Sequence, residues 1–187
     1  MLGIPKYKPQ FFSDAISFLN KNKHYCESAL HKTFSTYYVQ WNTEFNEWNN
    51  DGPIIIVIDS IQFEFTAFQL SEYSMTINTF DLSKKLDWYG ADDEIPLIWK
   101  EAPFEQFNAL KGKLIKDIFL IEYNFFLHNS PETTEPLNEN DYDLVGIEFE
   151  FYDSDQCLSL TNGLDCNAMN LYKTEENTIY RRTQITY

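Results

Sequence analysis

From Ile54 onward the apolar residues stop recurring at helical spacing and begin to run or alternate in short bursts, and this change of period constrains the fold more than any other feature. Ile54–Ile58, Ile61–Phe68 and Ser74–Phe80 follow one another, separated only by Asp59-Ser60 and Leu70-Ser71-Glu72. Side chains alternate between faces along a strand, and polar breaks this short permit only antiparallel neighbours, so the three runs read as a meander. Leu114–Leu127 is a longer run of the same type, with Ile115, Phe119, Ile121, Tyr123 and Phe125 expected on one face. Leu144–Tyr152 and Cys157–Thr161 then read as a hairpin around Asp153-Ser154-Asp155-Gln156. Asn162-Gly163 marks a turn, and Thr178–Tyr187 is expected to add a terminal strand.

Before this break the spacing looks helical. Phe11, Phe12, Ala15, Ile16 and Leu19 predict a short amphipathic helix over about residues 10–20. Leu30, Phe34, Tyr37, Trp41, Phe45 and Trp48 recur every three or four residues and predict a second helix, stopped at Asn49-Asn50-Asp51-Gly52-Pro53. Thr33, Thr36, Val39 and Thr43 lie in that stretch and weaken its helix propensity. Residues 83–103 read as a packed loop, Phe104, Phe107 and Leu110 as helical turns after Pro103, and residues 129–143 as a mobile loop. The expectation is an α+β chain: N-terminal helices, about 9–50, packed on a mainly antiparallel sheet, about 54–187, in a single domain spanning 1–187. Glu64-Phe65 and Glu148-Phe149 stand 84 residues apart and read as two similar strand-turn units in one sheet.

Composition enters through charge. The chain has 29 Asp and Glu against 14 Lys and Arg, and residues 117–172 hold 12 of the acids with no Lys or Arg. Nucleic acids and anionic membranes are bound by Lys and Arg at phosphates, so neither is expected as a partner, and a basic protein is. The N-terminal residues show no secretory pattern and no apolar run reaches the roughly 20 residues of a membrane span, so a cytoplasmic location is the expectation. Cys26, Cys157 and Cys166 form no CxxC pair, and His24, His31 and His128 stand at no HxH or HxxxH spacing, so no cofactor or metal is expected.

Several residues could carry function. Glu148 and Glu150 share one face of a strand opposite Phe149 and Phe151. As a solvated face they would flank Asp153 and Asp155; as paired carboxylates they would serve a hydrolase. Asp141 and Asp143, with Asn138 and Asn140, offer oxygen ligands in a turn, as do Asp153 and Asp155, but neither group has the glycine or distal glutamate of a calcium-binding EF-hand loop. Trp48, at the end of the aromatic series, is either core or a binding anchor. The expected partner-binding set is therefore Glu148, Glu150, Asp153, Asp155, Asp141, Asp143 and Trp48.

Lys111-Gly112-Lys113-Leu114-Ile115, Gly146-Ile147-Glu148-Phe149-Glu150-Phe151 and Leu158-Ser159-Leu160-Thr161-Asn162-Gly163-Leu164-Asp165 together resemble small acidic immunity proteins encoded beside bacterial polymorphic toxins, over about residues 111–170. The resemblance implies a non-enzymatic protein that neutralises a basic toxin domain, often a nuclease, by covering it. A scaffold or regulatory subunit without any toxin is the alternative reading, and the hydrolase a second one.

Overall fold

A computed structural model describes residues 3–86, 96–129 and 141–186. Two antiparallel sheets, with few helices, make up most of it. In the first, β1 (Phe34–Asn42) pairs on one edge with β3 (Ile54–Ile58) and then with the short β2 (Glu47–Trp48), and on the other edge with β6 (Leu97–Glu101). The meander continues from β3 through β4 (Ile61–Phe68) to β5 (Glu72–Ile77). The second sheet is ordered β10-β9-β8-β7-β11, with β7 at Ile115–Tyr123, β8 at Asp143–Phe151, β9 at Cys157–Asn162, β10 at Asn167–Asn170 and β11 at Tyr180–Gln184.

The inner faces of the sheets share one core. Phe63 and Phe65 of β4, Tyr73 and Met75 of β5, Ile147, Phe149 and Phe151 of β8, and Leu158 and Leu160 of β9 are all buried in it. Phe65 meets Phe149 edge to face at 6.0 Å between centroids, and the Tyr73 hydroxyl donates across the gap to the Leu160 carbonyl at 2.9 Å. Asn167 bridges the sheets at one end: its Oδ1 accepts from the Ala67 amide, and its Nδ2 donates to the Asn50 and Gly52 carbonyls. A side chain so fully paired costs little to bury.

A single N-terminal helix, α1 (Ala15–Ala29), packs Ala15, Phe18, Cys26 and Ala29 into this core. Asp14 caps it by accepting from the Ser17 amide at 2.7 Å. It begins later and runs further than the spacing predicts, because Phe12 pairs instead with Tyr73 in an isolated bridge. The expected second helix does not form. Residues 34–48 are β1, a turn and β2, and the β-branched residues at 36 and 39 find their preferred backbone there. A register shift between Phe34 and Thr36 lets Phe34 and Tyr37 face the same core three residues apart, which imitates helical spacing.

Other differences have equally local causes. Leu97–Glu101 is a strand rather than loop, while residues 87–95 of that predicted loop, and residues 130–140 of the other, lie outside the described residues. In β7, irregularities beside Asp117 and Glu122 shift the alternation. Ile118 and Leu120 therefore join the inner core with Ile115, while Phe119 and Ile121 share the outer face with Glu148 and Gly146, opposite to expectation. Residues 104–110 do form a 3-10 helix, Glu105–Leu110. The turn after β9 is centred on Leu164 and Asp165, both at positive φ (67° and 76°), with the Gly163 amide donating to the Cys166 carbonyl at 2.7 Å. Two central residues with positive φ are the signature of the type I′ hairpin turn. Among the described residues no helix is long and apolar enough to cross a membrane.

Candidate binding groove

Both sheets have a second face, and each is partly covered. On the first, Ile4, Tyr7, Leu86 and Leu97 form a small cluster with Phe80 and Trp99. On the second, the segment joining β10 to β11 crosses the sheet. Glu148 therefore lies at 0% exposure, and its expected place on a solvated face is overturned. The alternation itself is as read, with Phe149 and Phe151 on the inner face; what is added is a cover over the other face.

Beneath that cover lies a charge cluster. Arg182 of β11 donates through Nη2 to Glu148 and, at 2.9 Å, to Glu150, while its guanidinium stacks over the Phe119 ring at 3.8 Å. The Thr174 amide donates to Glu148 Oε2 at 2.8 Å, and Lys173 Nζ lies 2.8 Å from Glu150. Burial by itself would raise the Glu150 carboxyl, but hydrogen bonds from Lys173 and Arg182, together with their charges, outweigh it and hold the group below the usual range. Glu122 is similarly buried and gripped by Arg181. Four acids of the cation-free stretch 117–172, Asp117, Glu122, Glu148 and Glu150, are thus paired in space with Lys116, Lys173, Arg181 and Arg182, which flank it in sequence. A paired-carboxylate hydrolase would need Glu148 and Glu150 on an open cleft; both are instead tied to one guanidinium.

The other predicted site residues scatter. Asp153 and Asp155 are exposed in the β8–β9 turn, where Lys113 Nζ donates to the Asp153 carbonyl at 2.8 Å. Asp141 and Asp143 lie partly exposed at the opposite end of that hairpin, and burial pushes the Asp143 carboxyl up. Trp48 packs edge to face on Phe104 at 5.6 Å and sits half-buried against the core rather than standing out as an anchor. Among the described residues no three His, Cys, Asp or Glu side chains gather as a metal site. The thiols are poor nucleophiles: burial pushes Cys26 and Cys157 up to about 12, and burial with the charges of Asp51 and Asp165 raises Cys166.

What the sequence reading missed is a groove of about 980 Å³ beside the charge cluster. Its floor is the second sheet's outer face: Ile121 of β7, Val145 of β8, Ser159 and Thr161 of β9, and Asn170 of β10. Tyr123, Phe125 and Tyr180 close one end, with Tyr123 at 4.6 Å from Phe125 and 4.8 Å from Tyr180 between centroids. Leu70 and Leu164 stand at the other, and Tyr172 with Lys173, Thr174, Glu175 and Asn177 forms a wall. Leu70, Leu164 and Tyr172 are 57%, 65% and 67% exposed, so large apolar side chains are held in water around one concavity. Their only sequence signal is an apolar residue inside a turn, as in Asn162-Gly163-Leu164-Asp165.

Leu164 is the most telling of the three. A leucine at φ 67° adopts a conformation that Gly or Asn takes at less cost, a difference of about 1–2 kcal/mol, and it exposes its side chain there. Neither backbone preference nor core packing accounts for the residue. Compared with known proteins, the chain matches no family model, no curated protein and no solved structure.

Proposed function

We propose that this chain is a non-enzymatic binding protein for a basic protein partner, and that the groove on the outer face of the second sheet is its docking surface. The observation that carries the reading is the apolar and aromatic lining of an open concavity in which Lys173, its one lysine among the described residues, is already held by Glu150. Binding sites combine such a lining with a few polar groups that fix orientation, and Ser159, Thr161, Asn162 and Asn170 provide them. The net charge of −15 favours encounter with a cationic surface. Of the acids expected to form the contact, Glu148 is withdrawn by its burial; the exposed Asp153 and Asp155 remain as charges that steer a partner from a distance.

Neutralisation of a toxin domain is the concrete form of this function that the resemblance over residues 111–170 supports. The test is to produce the protein encoded by the adjoining reading frame and to measure its association with this chain at low and high ionic strength. A basic, toxic domain whose affinity falls as salt rises supports the reading. An acidic neighbour, or no association, sinks the toxin form, and association indifferent to salt sinks the electrostatic one.

A further inference from the structure

We infer that the groove takes a short segment of the partner that carries an apolar anchor and at least one cation. The inference rests on the binding reading above and narrows it to one mode of contact.

The exposed part of the lining is its rim. Ile121, Val145 and Ser159 on the floor are buried, whereas Leu70, Leu164 and Tyr172 stand in water, so a partner's side chain meets the apolar rim. Recognition then comes from side chains and from groove hydroxyls and amides.

The lining sets the chemistry. The aromatic end at Tyr123, Phe125 and Tyr180 and the leucine end at Leu70 and Leu164 both offer apolar surface. Of the two charged residues that line the groove, Lys173 is ion-paired with Glu150, while Glu175 forms no ion pair among the described residues. Asp165, beside Leu164, adds an exposed carboxylate whose Oδ1 accepts the Gln69 amide at 2.7 Å. The unneutralised charge around the groove is therefore negative, and a cation flanking the apolar anchor complements it.

The experiment is selection from a random heptapeptide display library on the immobilised full chain, followed by titration of the selected peptides against three variants. Thr161→Trp fills the floor, Leu164→Asn removes the apolar rim while placing at φ 67° a residue that suits it, and Glu175→Lys reverses the free charge. Enriched peptides should be cationic and carry an aromatic or large aliphatic residue. Their affinity should fall at least tenfold in Thr161→Trp and Leu164→Asn, and the salt dependence of their binding should flatten in Glu175→Lys. Leu164→Asn should melt no lower than the parent chain, which separates loss of binding from loss of fold. The inference is overturned if no peptide is enriched, if the enriched ones are neutral or acidic, or if the two groove variants bind them unchanged. If the whole partner binds Thr161→Trp and Leu164→Asn as tightly as the parent chain, the groove assignment fails while partner binding stands. Absence of any partner association with the parent chain would remove the broader reading itself.

Discussion

Strand β4 of the first sheet and strand β8 of the second solve one problem by different means. Each places a glutamate on the covered outer face, Glu64 or Glu148, both at 0% exposure, and follows it with a phenylalanine in the shared core. Glu64 forms no ion pair among the described residues. Its Oε1 accepts from Gln62 Nε2 and the Thr79 amide, each at 2.7 Å, and its Oε2 accepts from the hydroxyls of Thr76 and Thr79. Glu148 is held by the Arg182 guanidinium and the Thr174 amide. Hydroxyls can reverse and accept; guanidinium and backbone N–H groups cannot. The same buried carboxylate is therefore replaceable on one sheet and fixed on the other.

The inner faces should be alike where the outer ones differ, and they give the largest effects. Phe65→Ala and Phe149→Ala should each cost about 3–5 kcal/mol in urea unfolding, since both rings are buried. Because the rings touch, the double variant should cost less than the two together by about 0.5–1.5 kcal/mol. Strict additivity would mean that the sheets do not share this core.

On the outer faces the pair of amide substitutions separates the two solutions. Glu148→Gln must turn its amide nitrogen toward one of two obligate donors and leaves Arg182 short of a charge. The penalty expected is about 3 kcal/mol, the lower end for breaking a buried ion pair. Glu64→Gln can keep its oxygen toward Thr79 and Gln62 while the threonine hydroxyls reverse to accept the new amide, at about 1 kcal/mol. Equal costs in thermal or urea unfolding would erase the distinction.

The meander and the β8–β9 hairpin were legible because period-two alternation survives in sequence, and Phe149 and Phe151 lie where that alternation puts them. The strand at 34–42 was not, since its register shift placed Phe34 and Tyr37 at the spacing a helix would use. Glu148 shows the deeper limit. Alternation tells which residues share a face but not whether another segment covers it; of the groups that hold Glu148, Thr174 lies 26 residues away in a stretch without periodicity and Arg182 34 residues away in the terminal strand. The groove was invisible for the same reason: Leu70, Leu164 and Tyr172 come from three separate turns, and only the fold brings them to one concavity.

Acid titration sharpens the contrast within the second sheet. Glu150 is held below its ordinary value of 4.5 in the folded chain, so its stabilisation is complete above that value and is lost as pH falls below it. Asp143 has the opposite sign: burial raises it above 3.8, so its ionised form opposes folding, and protonation relieves the penalty as pH falls through the raised value. Between about pH 5 and 3, Glu150→Gln should lose less stability than the parent chain and Asp143→Asn more. Parallel unfolding midpoints across that range for all three proteins would refute both assignments.

The smallest effect expected belongs to Lys173, and its size tests what holds the segment over the second sheet. Its side chain is 59% exposed, and its bond to Glu150 is the outermost of the cluster, so Lys173→Ala should cost about 0.5 kcal/mol or less. Arg182 would still pair with both Glu148 and Glu150, and the Thr174 amide would still donate to Glu148. Amide exchange offers the finer measure. Residue 174 should stay protected in Lys173→Ala and become exchangeable in Glu148→Gln, because the buried acceptor, not the exposed cation, fastens the segment. Loss of protection at 174 in Lys173→Ala would transfer that role to the surface pair, and the outer face of the second sheet would then depend on ionic strength in a way the first, with Glu64 bound by neutral donors, does not.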